Sequence, residues 1–288
     1  MKKNLVKPND HYRKVMVITG ANRGIGFEVA RTLAKEDISL VLACRNLVEG
    51  EKAKEKIEKE SGNSQIKVIK LDLSSFSSIR DFCKKFDQSY QRLDVLINNA
   101  GIFTMDKGLT QDGLELTMGV NYFGPFLLTN LLLPFLEKSE EGRIVNVISG
   151  AYKRGKFNLE NIRERNKTGF RAYSASKFAL AVFTLTLSRK LKSKGMRVCV
   201  NAVSPGHVNS GMWDFNKWYA PIIRFFGKRS MIDVEQGAEP ILFLAISEKA
   251  KEINGKYFNR EKEEEIMFVS TEDQEILWGK SSKIVGLD

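Results

Sequence analysis

The chain has 288 residues, 42% of them hydrophobic and 28% charged, enough apolar material for one large core. Wholesale disorder, collagen and coiled coil are excluded, because the apolar residues are too many and too unevenly spaced. The net charge, 46 − 35 = +11, raises nucleic acid or an anionic membrane as partners, but the basic residues are spread along the chain without forming a block. A lysine-rich solvated surface is the plainer reading, and no nucleic acid is expected.

The cysteines Cys44, Cys83 and Cys199 are far apart, and only His11 and His207 are available to join them as nitrogen ligands. No metal site and no disulfide framework is expected, which suits a reducing compartment. Residues 1–13 form a short polar lead-in without the apolar core of a signal peptide. No segment offers the roughly 18 to 20 unbroken apolar residues that span a bilayer. The nearest, Phe123 to Leu136, is interrupted by Gly124, Pro125, Thr129, Asn130 and Pro134. A cytoplasmic protein with no transmembrane anchor is expected.

In chain order, strands are predicted at Val15–Thr19, Leu40–Ala43, Val68–Leu71, Val95–Asn98, Ile144–Ile148 and Val198–Val203. Most are apolar on both faces, as strands buried on both sides of a parallel sheet must be. Segments of helical length, such as Glu49–Glu60 and Ser75–Tyr90, lie between them. This alternation specifies right-handed βαβ units: a single α/β domain over residues 1–288, doubly wound (Rossmann), with about seven strands and helices on both faces. The charge run Arg260–Glu265 reads as a solvated connection, and the tail 260–288 as that connection plus a packing helix ending near Gly279.

The first strand runs into Thr19-Gly20-Ala21-Asn22-Arg23-Gly24-Ile25-Gly26, then an apolar-periodic helix. Glycines so spaced permit positive φ and let backbone N–H groups approach a pyrophosphate at the positive helix end. The second strand ends in Cys44-Arg45-Asn46, with no acid at its tip to bind a ribose 2′-hydroxyl. Arg45, assisted by Arg23, suits a 2′-phosphate instead, so NADP is expected over NAD, and NADPH over NADH. Further on, Tyr173 and Lys177 stand four residues apart at the head of a long helix, on one face. The ammonium there favours the phenolate, which a phenol near pKa 10 needs for acid–base work at neutral pH. A second such pair, Tyr152 and Lys156, has Gly155 inside it and reads as loop.

These motifs resemble the short-chain dehydrogenases/reductases. The resemblance rests on Thr-Gly-x3-Gly-x-Gly at 19–26, Asp72 after the third strand, Asn98-Asn99-Ala100-Gly101 after the fourth, and Asn121. It continues with Ser149 closing the fifth strand, Tyr173 with Lys177, and Ser204-Pro205-Gly206-x-Val208 after the sixth. Ala43-Cys44-Arg45-Asn46, the run Val120 to Thr129 and the long gap from Ser149 to Tyr173 look most like the retinol-dehydrogenase-like branch, to which WW-domain oxidoreductase-type proteins are related. Ser210 stands where the family often has threonine, and it keeps the hydroxyl.

The resemblance implies four catalytic residues: Ser149 on the substrate carbonyl, Tyr173 as proton donor or acceptor, Lys177 lowering the phenol pKa, and Asn121 on a proton relay. It implies that Gly20, Asn22, Arg23, Gly24, Ile25, Gly26 and Arg45 bind the cofactor phosphates, and that Asp72 and Leu73 face its adenine. Asn99, Ala100 and Gly101 take the ribose side, with Tyr173 and Lys177, while Pro205, Gly206, Val208 and Ser210 take the carboxamide. Asn121 and Asp72 also have a plainer reading as helix caps.

The implied reaction interconverts an alcohol and an aldehyde or ketone. Residues 207–230, with Trp213, Phe215, Trp218, Tyr219, Phe225 and Phe226, are expected to form an apolar substrate lid. That favours a lipophilic carbonyl, although retinoid-active members usually carry an anchor that the polar lead-in does not resemble. A 3-oxoacyl-type reductase and a non-catalytic NADP(H)-binding regulator stay open as alternatives. By analogy with the family, a homo-oligomer (dimer or tetramer) is expected.

Overall fold

The computed structural model describes residues 13–156, 169–206, 208 and 232–287. The described strands form one sheet: β1 (Lys14–Thr19), β2 (Ile38–Cys44), β3 (Ile66–Lys70), β4 (Val95–Asn98), β5 (Gly142–Val147), β6 (Val198–Ser204), β7 (Tyr257–Asn259) and β8 (Lys262–Glu264). Their order is β3-β2-β1-β4-β5-β6-β7-β8, parallel throughout except for β8, which returns antiparallel to β7.

The residues make this choice at the level of single strands. In β1, Met16 and Ile18 face one side and Val17 the other, and all three are fully buried. Both faces must therefore be covered by helices. On one face lie α1 (Gly24–Leu33), α2 (Leu47–Ser61) and α6 (Val234–Ile246), which contribute Val29, Ile57 and Ile241 to the core. On the other lie α3 (Phe76–Asp87), α4 (Leu116–Leu136), α5 (Gly169–Ser193) and α7 (Thr271–Val285), with Phe82, Phe126, Phe183 and Leu277.

The expected doubly wound sheet is present, with three differences. β3 covers Ile66–Lys70 where Val68–Leu71 was predicted. As a strand at one edge of the sheet it is only partly covered, with Ile66 and Ile69 buried on opposite faces and Lys67 and Lys70 exposed, so unbroken apolarity is the wrong signal there. The charge run is not merely a connection, because Lys262–Glu264 form the edge strand β8. Its backbone pairs with β7, while Glu264 meets Lys153 and Glu263 meets Lys256. An edge strand needs backbone partners, not apolar side chains, and charge there discourages pairing with other chains. The tail helix also runs past Gly279 to Val285, since Gly279 has open space around it and costs only propensity.

α4 is long and apolar enough to cross a bilayer despite its interruptions, but 78% of its most apolar stretch is buried inside the protein. It contains a π turn at Gly119–Phe123. The 1–12 lead-in and the 207–230 lid, Val208 excepted, lie outside the described residues, as does Ser210.

A buried polar chain joins the middle of the sheet to its helices. Asn98 Nδ2 donates to Asn146 Oδ1 (2.8 Å) and to Thr129 Oγ1 (3.0 Å), and Asn146 Nδ2 donates to Thr184 Oγ1 (2.9 Å). It fixes β4 and β5 against α4 and α5 by direction as well as by packing. Asn146→Ala leaves Asn98 and Thr184 short of partners, so a loss of about 2–4 kcal/mol is expected. Urea unfolding should show this as a lower midpoint with an unchanged slope.

Candidate active site

Among the described residues, most of the predicted site residues follow the C-terminal ends of parallel strands, the edge where open α/β sheets bind ligands, while Asn121, Tyr173 and Lys177 stand on helices. At the end of β1 the chain turns through Gly20 (φ +67°) and Gly24 (φ +56°), both in the left-handed region that favours glycine. Gly26 is required for another reason. A Cβ there would lie 2.4 Å from the Gly20 carbonyl oxygen and 2.4 Å from Asn99 Nδ2.

This closeness is held by Thr19. Its hydroxyl accepts from the Asn99 and Ala100 amides (3.0 and 2.9 Å), while Asn99 Nδ2 donates to the Thr19 carbonyl (2.9 Å). The β1 and β4 loops are thus one rigid unit. α1 starts at Gly24 with no side-chain cap and no acid in its first turn, whereas Asn46, Ser75, Asp233 and Ser270 cap α2, α3, α6 and α7. Uncapped N–H groups behind a glycine cradle fit the pyrophosphate of a dinucleotide.

Thr19 is in register with Ala43, so Arg45 follows the strand neighbouring that cradle. Arg23 and Arg45 are both exposed and make no ion pair among the described residues. Asp72 accepts from the Ser74 amide and hydroxyl (2.9 and 2.6 Å). It is not a helix cap, because Ser75 caps α3; nor is Asn121, because Glu115 caps α4. After β6, Pro205 is buried, Gly206 has φ +90°, and Val208 forms a parallel bridge with Ile232.

The four expected catalytic residues converge. Ser149 lies two residues past β5 and opens a 3-10 turn (Gly150–Arg154), its hydroxyl accepting from the Ala151 amide at 3.3 Å. The same hydroxyl lies near enough to the Tyr173 phenol to pull its pKa down. Lys177, 2% exposed, donates to the Val147 carbonyl at 2.8 Å, with its nitrogen 5.9 Å from the Tyr173 ring centre. Asn121 completes the group: a Cβ on Gly101 would lie 3.3 Å from both Asn121 Oδ1 and Lys177 Nζ. The Tyr152–Lys156 pair is unrelated to this site in form. Tyr152 lies in the 3-10 turn, not in an open loop, and its ring is wholly buried against Tyr257.

Electrostatics modifies one expectation. Burial pushes the Tyr173 phenol above its usual value, with the Ser149 hydrogen bond pulling it partly back. Burial also lowers the Lys177 ammonium, from an ordinary 10.5 to about 8. Desolvation therefore outweighs the depression of the phenol that was expected from Lys177 alone.

Ser176 escaped the sequence reading although it stands inside Tyr-Ser-Ala-Ser-Lys. Its hydroxyl donates to the Tyr173 carbonyl (2.7 Å) and accepts from Asn121 Nδ2 (3.0 Å), tying helix to π turn. Phe103 was also missed; its ring meets Tyr173 edge-on, centres 5.5 Å apart.

The low Lys177 pKa has a consequence for stability. Between pH about 8 and 10.5 the unfolded chain holds a proton that the folded chain lacks, so this group's contribution to stability rises with pH. Its burial penalty at pH 7 is about 3 kcal/mol at 1.36 kcal/mol per unit, offset partly by the Val147 bond. Lys177→Met should accordingly be no less stable than wild type at pH 7, with its relative stability falling as pH climbs to 10.5. Urea midpoints at the two pH values check this; a variant clearly weaker at pH 7 would show the ammonium to be well compensated.

The short chain dehydrogenase family model matches residues 14–219. Retinol dehydrogenase 13 of Homo sapiens is 36% identical over 289 residues, covering 96% of this chain and 85% of its own. Retinol dehydrogenase 11 of Homo sapiens is 41% identical over 250 residues, covering 85% and 77%. Among solved structures, an uncharacterised protein of Mycobacterium paratuberculosis superposes with a TM-score of 0.72 at 30% identity, over 95% and 93% of the two chains. A Shigella flexneri short chain dehydrogenase solved with NADP has the same fold, with a TM-score of 0.68 at 23% identity over 86% and 97%.

Proposed function

Because the chain belongs to the short-chain dehydrogenase/reductase family, in its retinol-dehydrogenase-like branch, we propose that it interconverts an alcohol and a lipophilic aldehyde or ketone with NADP(H). The observation that carries this reading is the Ser149–Tyr173 hydroxyl contact beside the buried Lys177 ammonium. A bound nicotinamide supplies or accepts the hydride, and the protein supplies position and proton handling.

In the reducing direction, the Ser149 and Tyr173 hydroxyls donate to the substrate carbonyl oxygen, where negative charge builds. The raised phenol pKa keeps Tyr173 protonated until that charge develops, and the proton then passes to the oxygen. Lys177, inside a site of low dielectric, stabilises the phenolate left behind. Asn121, which faces Lys177 across Gly101, lies on the path by which the proton is restored.

Gly20, Asn22, Gly24, Ile25 and Gly26 hold the pyrophosphate, and Arg23 and Arg45 the 2′-phosphate. Asp72 and Leu73 border the adenine, Asn99, Ala100 and Gly101 the ribose, and Pro205, Gly206 and Val208 the carboxamide. The lipophilic preference is supported by Phe103 against Tyr173, and by Met105 and Phe170, which are exposed close by. Met105 lies against Gly169, the first residue of α5, where a Cβ would come 2.6 Å from its sulfur.

The test is NADPH oxidation against short, long-chain, aromatic and polyene carbonyls. Tyr173→Phe should lower kcat by about 10²–10⁴-fold and weaken NADPH binding far less than that. Wild-type protein that binds NADPH yet turns over nothing would favour a cofactor-sensing regulator, and turnover confined to acyl-carrier substrates a 3-oxoacyl reductase. Arg45→Ala should raise the NADPH KM about tenfold or more and leave the NADH KM alone. Equal effects on both cofactors would remove the 2′-phosphate assignment.

A further inference from the structure

We propose that α7 is a positioning element of the active site: the buried Ser281–Tyr122 hydroxyl pair holds the π turn of α4 in the form that presents Asn121 to Lys177. The activity readout of this proposal rests on the proton chemistry proposed above.

A π turn is wider and less favourable than α-helix, and it persists where its surroundings hold it. This one is held on three sides. At its start, Gly119 lies so near Thr110 that a Cβ would be 2.1 Å from the Thr110 methyl. Just past its end, Gly124 abuts the Leu73 carbonyl, where a Cβ would be 2.7 Å from the oxygen. On the third side, the hydroxyls of Tyr122 and Ser281 are 2.7 Å apart, with Tyr122 1% and Ser281 0% exposed.

Asn121 is the residue immediately before Tyr122. Its Nδ2 donates to the Ile102 carbonyl (2.9 Å) and Ser176 Oγ (3.0 Å), and its Oδ1 accepts from the Ile102 amide (2.8 Å). Any rotation of the turn therefore disturbs the loop after β4 and the Tyr173–Lys177 helix together.

The helix that supplies Ser281 is itself anchored. Trp278 packs on Phe126 and Phe183, ring centres 5.1 and 5.7 Å apart, and Arg80 donates to the Val285 and Gly286 carbonyls at 2.8 and 2.9 Å. A phenylalanine at 122 would pack equally well, with its ring 6.0 Å from that of Phe126 as Tyr122 is now. What the hydroxyl pair adds is direction, fixing α7 against the π turn at one register.

The test uses the full chain with Ser281→Ala, Ser281→Thr and Tyr122→Phe, read by hydrogen exchange, kcat and pH profile, with Tyr173→Phe as the control for the chemistry. In Ser281→Ala the amides of residues 119–123 should exchange about tenfold faster. The kcat should fall about tenfold and its pH profile should shift, and Ser281→Thr should restore the exchange rates, the kcat and the pH profile. If Ser281→Ala does not fold, Tyr122→Phe replaces it, since that variant keeps the ring and leaves Ser281 able to bond its own helix. Unchanged exchange at 119–123, or unchanged kcat and pH profile per folded molecule, overturns the proposal even if Tm drops. Should the wild type reduce no carbonyl, the proposed chemistry fails separately and the exchange rates alone decide whether α7 holds the turn.

Discussion

The hydrogen bond from Lys177 Nζ to the Val147 carbonyl places an ammonium inside the protein with no ion pair among the described residues. Burying such a group is unfavourable, and its pKa of about 8 records the strain. The surrounding structure is arranged to keep it there. β5 supplies the carbonyl, α5 the rigid stem, and Gly101 the absence of a side chain that would fill the space beside the amine. Ser176 and Asn121 then fix the neighbouring turn, so the charge has one place to be. In a low dielectric the same confinement would strengthen the charge's pull on a neighbouring phenolate, as the proposed proton transfer requires.

The other half of the site depends on backbone proximity. Thr19 binds the β4 loop through both its hydroxyl and its carbonyl, and Gly26 lacks a side chain because Gly20 and Asn99 leave no room. This is where the strand order reverses: β1 lies between β2 and β4. The crevice that opens there comes from topology, while the proposed fit to a pyrophosphate rests on the glycines.

Much of this was legible in the residues. β4 is where its four apolar-to-polar positions, Val95 to Asn98, say it is, and Ser149, Tyr173, Lys177 and Asn121 meet as their motifs implied. The misreadings of the edge strands share one cause, which is that side-chain pattern reports burial and not backbone pairing. β3 exposes Lys67 and Lys70 because it is an edge, and β8 is made of lysine and glutamate because its backbone has β7 to bind. The π turn leaves no periodic trace, being only a local widening of α4. Ser176 and the Val147 carbonyl were hidden for a different reason. Their roles depend on partners that become neighbours only after the sheet is wound. The direction of the Tyr173 shift was likewise beyond the motif, since it is set by burial that only the packed structure defines.

The packing of Trp278 between Phe126 and Phe183 has a consequence for biosynthesis. α4 and α5 leave the ribosome well before α7, and the whole stretch from Ser193 to Thr271 must be made in between. Throughout that interval the aromatic surface of the two earlier helices has no cover from its own chain. The nascent protein thus carries, for a fixed length of translation, the kind of exposed apolar face that chaperones bind and that drives misassembly. Slowing synthesis between Ser193 and Thr271 would lengthen that exposure, while the finished molecule would be the same.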